Sequence, residues 1–311
     1  MLEDKGDSVL LIVDRHMSTQ DIFNSLISSG CTDLSPQMDP RQDTAMIVSG
    51  GGFGDIWKGQ LYSGTKVAIK AWRTNTIEGC SYKTLKRAAR ELFYWSRMEH
   101  PNIHQLMGVI LFKDQYLGMV SEWMENGNLH EYLRKHPSVD HYQLCIDVTS
   151  GLEYMHNQSM VHGDVKAANV LVSSEGVARL SDFDYSVMSG VVSLVFTQTS
   201  NTRPGSIRWI APEILREEIR DRTTQSDVYA LGMTMLIFTR DVPYPERQMD
   251  FSVMMVVAQG ILPIRPMDQL QDNEKGNSMW KLLLSCWNHK PSDRPSSGQV
   301  LDTLRHLESS G

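Results

Sequence analysis

Cysteine is scarce in this chain of 311 residues: Cys31, Cys80, Cys145 and Cys286 lie far apart. No pair has the Cys-x-x-Cys spacing of a metal or redox site, and the low count fits a reducing compartment. A surplus of positive charge is also missing. The net charge of -7 argues against nonspecific binding to nucleic acid or a membrane surface, both of which need a basic face. The basic run Lys83–Arg90 reads as one solvated helix face. Long apolar runs are absent too. Met1–Ser8 is charged, and Val9–Val13 spans five residues, too short for a signal-peptide core or a membrane span. The richest later run, Tyr229–Phe238, reads as a buried helix. No internal repeat or low-complexity tract interrupts the chain. The expectation is a soluble, cytoplasmic protein, with 41% hydrophobic composition enough for one large or two small domains.

What is present changes character along the chain. Residues 1–44 stand apart as an N-terminal extension. Val9–Val13 suits a short strand, and Ser18-Thr19-Gln20-Asp21 offers capping side chains. Ile22, Phe23, Leu26 and Ile27 then fit an amphipathic turn and a half that stops near Gly30. Pro36 and Pro40 punctuate a polar connector. This extension either packs on the domain that follows or docks a partner chain; packing is the expectation, because small apolar helices seldom stay exposed.

From Ala45 the pattern is β. Ala45–Val48 leads into Ser49-Gly50-Gly51-Gly52-Phe53-Gly54, then Asp55–Lys58 containing Ile56, and after a Ser63-Gly64 turn Lys66–Ala71. Glycines let backbone N–H groups approach phosphates, while a flexible hairpin tip is the plain alternative. Lys70, near the middle of an apolar strand, needs an anionic partner, because burying a lone ammonium is costly. Glu91, on the helical pattern Thr84–Met98, can supply it; the alternative is a surface pair with Arg87. Strands Leu106–Ile110 and Tyr116–Ser121 follow, and the link Glu122–Leu129 has backbone groups suited to a flat heterocycle such as adenine.

Helices come next at Leu129–Lys135 and Tyr142–His156, then short strands near Val170–Val172 and Val177–Leu180. Between them lies Val161-His162-Gly163-Asp164-Val165-Lys166-Ala167-Ala168-Asn169, followed by Asp182-Phe183-Asp184. Asp164, Asn169 and Asp182 form a set able to hold a metal–phosphate group and orient a hydroxyl, which is most of what phosphoryl transfer asks of a protein. A long irregular stretch, Asp184 to Arg208, ends at Trp209-Ile210-Ala211-Pro212-Glu213. Helices are expected at Thr224–Arg240, Asp250–Gln259, Ser278–Trp287 and Gln299–Leu307.

Taken in order, these pieces resemble the eukaryotic protein kinase domain over roughly residues 45–309. The resemblance implies an α+β, two-lobed fold with a β-rich N-lobe (45–121), a hinge (122–127) and a helical C-lobe (128–309). It implies ATP and Mg2+ as cofactors and a protein substrate. Ser49 to Gly54 look like the phosphate-covering loop. Ile56, Ala68, Ser121, Glu122, Met124 and Leu171 fall where the family contacts the nucleotide, with Val67-Ala68 as an apolar ceiling and Leu171 as a floor. Lys70 and Glu91 match the lysine–glutamate pair, Asp164 the catalytic base, and Asn169 and Asp182 the metal ligands. Asp227 and Gly232 match the central C-lobe helix, and the arginine of Pro291-Ser292-Asp293-Arg294-Pro295 would pair with Glu213.

Lys166, with Ser206 to bridge it to Asp164, is similar to serine/threonine kinases. Ser121-Glu122-Trp123-Met124, Trp209 and Cys286-Trp287 look like the tyrosine-kinase-like branch, and the motif wording resembles expanded fungal kinase sets. The expected function is transfer of the γ-phosphate of Mg-ATP to Ser or Thr. The alternatives are tyrosine or dual specificity, a small-molecule kinase, and a pseudokinase serving as a binding module. Three departures bear on the choice. Ser49 replaces the first loop glycine. Gly163 replaces the arginine that normally gathers an activation-segment phosphate, which removes one phospho-dependent switch. Asp184 replaces the glycine of Asp-Phe-Gly, where a side chain is expected to restrict flipping of Asp182 and to alter magnesium affinity.

Overall fold

The computed structural model describes residues 17–50, 54–72, 91–92, 94–188, 206–236 and 242–309. The chain divides into two compact units: Met1–Glu99 with His104–Trp123, and His100–Ile103 with Met124–Gly311. The division falls inside the expected hinge.

The first unit begins with α1 (Thr19–Ser28), longer than the turn and a half expected. Ser18 and Asp21 form a reciprocal capping box, which fixes the start. Ile22, Phe23 and Leu26 are buried, so the apolar face of this helix turns inward. The connector after it is tied to the sheet. Leu34 N–H donates to the Val109 carbonyl at 3.0 Å and Val109 N–H donates to Thr32 at 2.9 Å. The close approach needs Gly108, because a Cβ there would collide with the Thr32 carbonyl oxygen. Leu34 and Met38 thereby join the core made by Leu61, Val67, Ile69, Ala71, Ile110, Phe112 and Val120. The proposed strand at Val9–Val13 lies outside the described residues.

The sheet of this unit holds β1 (Met46–Gly50), β2 (Gly54–Gln60), β3 (Lys66–Trp72), β4 (Leu106–Phe112) and β5 (Tyr116–Glu122). Its order is β1-β2-β3-β5-β4, and all its pairings are antiparallel. Alternation along β3 sends Val67, Ile69 and Ala71 to the core and leaves Ala68 and Lys70 on the other face. Val67 therefore does not form a ceiling with Ala68; the period of two separates them.

The second unit is mainly helical. In order it carries α2 (Leu129–Lys135), α3 (His141–Asn157), β6 (Met160–Val161), β7 (Val170–Val172), β8 (Ala178–Leu180), β9 (Val187–Met188), α4 (Pro212–Leu215), α5 (Thr224–Leu236), α6 (Asp250–Ala258), α7 (Glu274–Cys286) and α8 (Ser297–Ser309). Two short hairpin-like pairings, β6 with β9 and β7 with β8, carry the loop that holds Asp164. Every residue of α5 from Ser226 to Leu236 is buried, as the apolar run there requires; the four residues expected to continue it, 237–240, lie outside the described residues. The helix α7 starts four residues earlier than Ser278, because Asn273 caps it by accepting the Gly276 N–H at 2.8 Å. Among the described residues, no helix is long and apolar enough to cross a membrane.

Candidate active site

In the first unit, strand register assembles one face. Ile56 lies opposite Lys70, and Ala68 lies opposite Ser121. Cross-strand partners share a face, so Ile56, Ala68, Lys70 and Ser121 stand together. The Lys70 ammonium lies 2.7 Å from Glu91 Oε1, and Glu91 is 1% exposed. The buried carboxylate is thus matched to a cation, as expected, and Glu91 sits on helical backbone. Arg87, its alternative partner, lies outside the described residues. Ser49 and Gly50 end β1 opposite Ile56 and Asp55, and Gly54 opens β2. Gly51, Gly52 and Phe53 lie outside the described residues.

In the second unit, the link after the hinge is stitched to the β7–β8 hairpin. Gly127 N–H donates to Met124 at 3.1 Å, and Val172 N–H donates to the Gly127 carbonyl at 2.9 Å. Asn128 bridges to Leu171. This places Met124 and Leu171 on connected backbone. Glu122, expected with Met124 to meet adenine through its backbone, ends β5 in the first unit.

The loop at 162–169 is held by hydrogen bonds from several directions. Asp227, at the start of α5, accepts the amides of His162 and Gly163 with its two oxygens, both at 2.8 Å. The His162 ring takes the Asp164 amide proton at Nδ1, at 3.2 Å, and its Nε2 faces the Ser181 carbonyl at 3.2 Å. That pattern assigns the hydrogen to Nε2 in a neutral ring. Burial pushes the His162 pKa down, against the opposing pull of Asp227, Asp164 and Asp182. Residue by residue, the backbone around Asp164 is fixed before any side chain acts.

The side chains then converge. Lys166 Nζ lies 2.8 Å from Asp164 Oδ2 and 2.7 Å from Ser206 Oγ. Asn169 Nδ2 donates to Asp164 Oδ2 at 3.0 Å and to the Asp164 carbonyl at 2.9 Å. Asp164 is 5% exposed, so these bonds act with little competition from water. With Nδ2 turned to Asp164, the amide oxygen of Asn169 remains to serve a cation. The pairing Val170↔Leu180 sets Asn169 beside Ser181, whose amide donates to the Asn169 carbonyl at 2.8 Å, and Asp182 follows at once. One amide oxygen and one carboxylate suit Mg2+, which takes few protein oxygens and fills its shell with water and phosphate. Among the described residues no group of three or more His, Cys, Asp or Glu could hold a metal by itself.

Backbone geometry shows where the unusual conformation of this triplet falls. The left-handed residue of Asp182-Phe183-Asp184 is Asp182, with φ 61° and ψ 71°. Asp184 lies within the 3-10 turn Phe183–Tyr185 and has no positive φ. It does not need a glycine's freedom in this conformation, so its side chain carries no backbone cost here. Asp184 is buried, on the turn that positions Asp182.

The family profile for protein tyrosine and serine/threonine kinases matches residues 44–304. The chain belongs to the protein kinase family. A serine/threonine-protein kinase of Arabidopsis thaliana, STY46, is 26% identical over 265 residues, covering 84% of this chain and 43% of the relative. A probable LIM domain-containing serine/threonine-protein kinase of Dictyostelium discoideum is 28% identical over 303 residues, covering 95% of this chain and 44% of the relative. Ephrin type-A receptor 3 of Danio rerio is 30% identical over 268 residues, 84% of this chain and 26% of the receptor. The chain thus spans less than half the length of these relatives.

In this member of the protein kinase family, one expected structural pair is also present. Arg294 meets Glu213 with two bonds of 2.7 Å, so the late arginine does close on the end of the Ala211-Pro212-Glu213 segment. Sequence reasoning missed Arg208, which donates to the carbonyls of Pro243, Tyr244 and Arg247 at 2.6–2.9 Å. It also missed Arg222, which donates to the Gly163 carbonyl and stacks on Tyr185 with its guanidinium carbon 4.9 Å from the ring centroid. Arg222 sits in the charged run Arg216–Arg222, and nothing in such a run distinguishes an inward arginine from a solvated one.

Proposed function

We propose that this protein is an active kinase that transfers the γ-phosphoryl group of Mg-ATP to serine or threonine hydroxyls of protein substrates. The observation that carries the reading is the Lys166 ammonium, bonded at once to Asp164 Oδ2 and Ser206 Oγ. Asp164 would accept the proton of the attacking hydroxyl, and Lys166, two residues on, would meet the negative charge that grows on the moving phosphoryl group. Ser206 orients that lysine, which favours an aliphatic hydroxyl as acceptor in the manner of serine/threonine enzymes.

Asn169 and Asp182 would hold Mg2+, which when bound neutralises charge on the phosphate oxygens. Lys70, oriented by Glu91, would contact the α- and β-phosphates, with backbone of the Ser49–Gly54 loop over them. Backbone groups of Glu122 and Met124 would bond adenine, and Ile56, Ala68, Ser121 and Leu171 would contact its faces and edge. Two serine/threonine kinases among the relatives support the choice of acceptor. Free, buried Cys31, Cys145 and Cys286 support a reducing, cytoplasmic setting. A partner for the extension would have to use residues other than Ile22, Phe23 and Leu26, which are buried.

The test is incubation with γ-labelled ATP, Mg2+ and a degenerate peptide library, followed by phosphoamino acid analysis, for wild type and Asp164→Asn. Label on serine or threonine that disappears in the variant is expected. Label on tyrosine alone would overturn the acceptor assignment. Absence of label with ATP binding intact would overturn the activity and leave a pseudokinase.

A further inference from the structure

We infer that Arg222 is a positioning residue that fastens the Asp164 loop to the Asp182–Tyr185 turn, in place of a side chain that Gly163 lacks. The inference rests on the kinase reading of Asp164 and Asp182, but its structural basis is separate. Gly163 has φ +81°, a conformation that side chains resist. Its surroundings are also full: a Cβ at Gly163 would lie 2.9 Å from the Tyr185 carbonyl oxygen, 3.0 Å from Arg222 Cδ and 3.2 Å from Tyr185 Cβ. No arginine fits at position 163 in this arrangement, and the space beside it belongs to Arg222 and Tyr185.

Arg222 uses that space in two ways. Its Nη1 donates to the Gly163 carbonyl, and its guanidinium carbon lies over the Tyr185 ring, 4.9 Å from the centroid. The first contact grips the residue just before Asp164. The second grips the turn that begins at Asp182. A planar guanidinium can donate from its edge while stacking through its face, which an ammonium cannot do. The preceding peptide is held as well, since Gly163 N–H donates to Asp227 Oδ1 at 2.8 Å.

Arg222 is itself placed by the start of α5. Thr223 N–H donates to Ser226 Oγ at 2.9 Å, and Ser226 N–H returns a bond to Thr223 Oγ1 at 3.1 Å. This reciprocal cap fixes the backbone between Arg222 and Asp227, so both grips on Gly163 come from one rigid helix end. The guanidinium is supplied permanently by residue 222, and no phosphate is needed to draw it into place. Two loops that carry the proposed base and a proposed metal ligand are joined through one side chain.

The experiment compares full-length wild type with Arg222→Met, Arg222→Lys, Tyr185→Leu and the double variant Arg222→Met/Tyr185→Leu. It measures kcat, KM for ATP, Tm and amide hydrogen exchange. Arg222→Met is expected to lower kcat about tenfold or more, with KM for ATP changed less than about twofold and Tm nearly kept. Arg222→Lys is expected to recover part of kcat by restoring the donor without the stack. The double variant should be little worse than Arg222→Met, because both changes open the same clamp. Exchange should quicken about tenfold in segments 162–165 and 183–187 and stay unchanged in α8. An unchanged kcat in Arg222→Met, additive losses in the double variant, or exchange that rises equally throughout would overturn the inference. Exchange decides the matter even if wild type transfers no phosphate, a result that would instead sink the proposed activity.

Discussion

Among the described residues, the buried carboxylates of Glu213 and Glu91 each hold a cation, and the two pairs are built for different ends. Glu213 and Arg294, in the second unit, are 2% and 0% exposed at the side chain. Arg294 makes two bonds to the carboxylate, donates further to the carbonyls of Asn288 and Gln225, and stacks on Tyr229. The fork geometry of arginine is used fully, and it ties the end of the Ala211-Pro212-Glu213 segment to the turn before α8. Glu91 and Lys70, in the first unit, meet through a single ammonium whose side chain stays 20% exposed. A compact charge on a flexible stem, still reached by solvent, can be held by one anion and offered to another. The buried fork builds structure, and the half-open point charge suits chemistry.

The contrast is open to breakage by mutation. Arg294→Ala strands a buried carboxylate and should cost about 3–5 kcal/mol of stability, read as a drop in the urea midpoint at unchanged slope. Lys70→Met should lower phosphoryl transfer by about 10²–10³-fold. It also takes this cation from the buried Glu91 carboxylate, so it should cost some stability, but less than Arg294→Ala, because Lys70 is 20% exposed where Arg294 is fully buried. If Lys70→Met unfolds the protein and Arg294→Ala does not, the division of labour between the pairs is wrong. Ser206→Ala sharpens the picture within the second unit. It should lower kcat about tenfold, the worth of one hydrogen bond to a charged group, and leave KM for ATP unchanged.

A smaller effect concerns pH. Burial holds the His162 pKa below its ordinary value, so the unfolded chain takes up this proton first as pH falls. The stability contributed by the neutral ring is fully present above the unfolded value, about 6.5, and declines as pH drops below it. Thermal melts between pH 7.5 and 5.5 should show a shallower decline in His162→Gln than in wild type.

Much of the fold was legible because its signals are local and periodic. The strand at Lys66–Ala71 was legible as a strand, though its alternation was not, since Val67 and Ala68 were expected on one face; Ile22, Phe23 and Leu26 marked the inward stripe of α1. The core of the site was legible because Asp164, Lys166 and Asn169 sit within six positions of one another on a single loop. The pairing of Lys70 with Glu91 followed from the cost of burying either charge alone.

What escaped depends on long-range placement. The start of α7 was missed because Gly276 discourages a helix, whereas the Asn273 cap permits one. The left-handed conformation of Asp182 was not legible, because nothing in the triplet Asp182-Phe183-Asp184 marks its first residue for positive φ. Arg222 was invisible because its two contacts, Gly163 and Tyr185, lie 59 and 37 positions away in sequence. Only the folded chain shows that Arg222 packs against Gly163, where a Cβ would lie 3.0 Å from Arg222 Cδ.

The central claim is an active kinase whose catalytic loop stands in place without phosphorylation. Its most direct test is the rate of label transfer from γ-labelled ATP by full-length protein before and after exhaustive phosphatase treatment, with the phosphatase removed and early time points read. The account predicts equal initial rates, both abolished by Asp164→Asn. A treated enzyme that is silent, or that regains its rate only after a lag of self-phosphorylation, would contradict it.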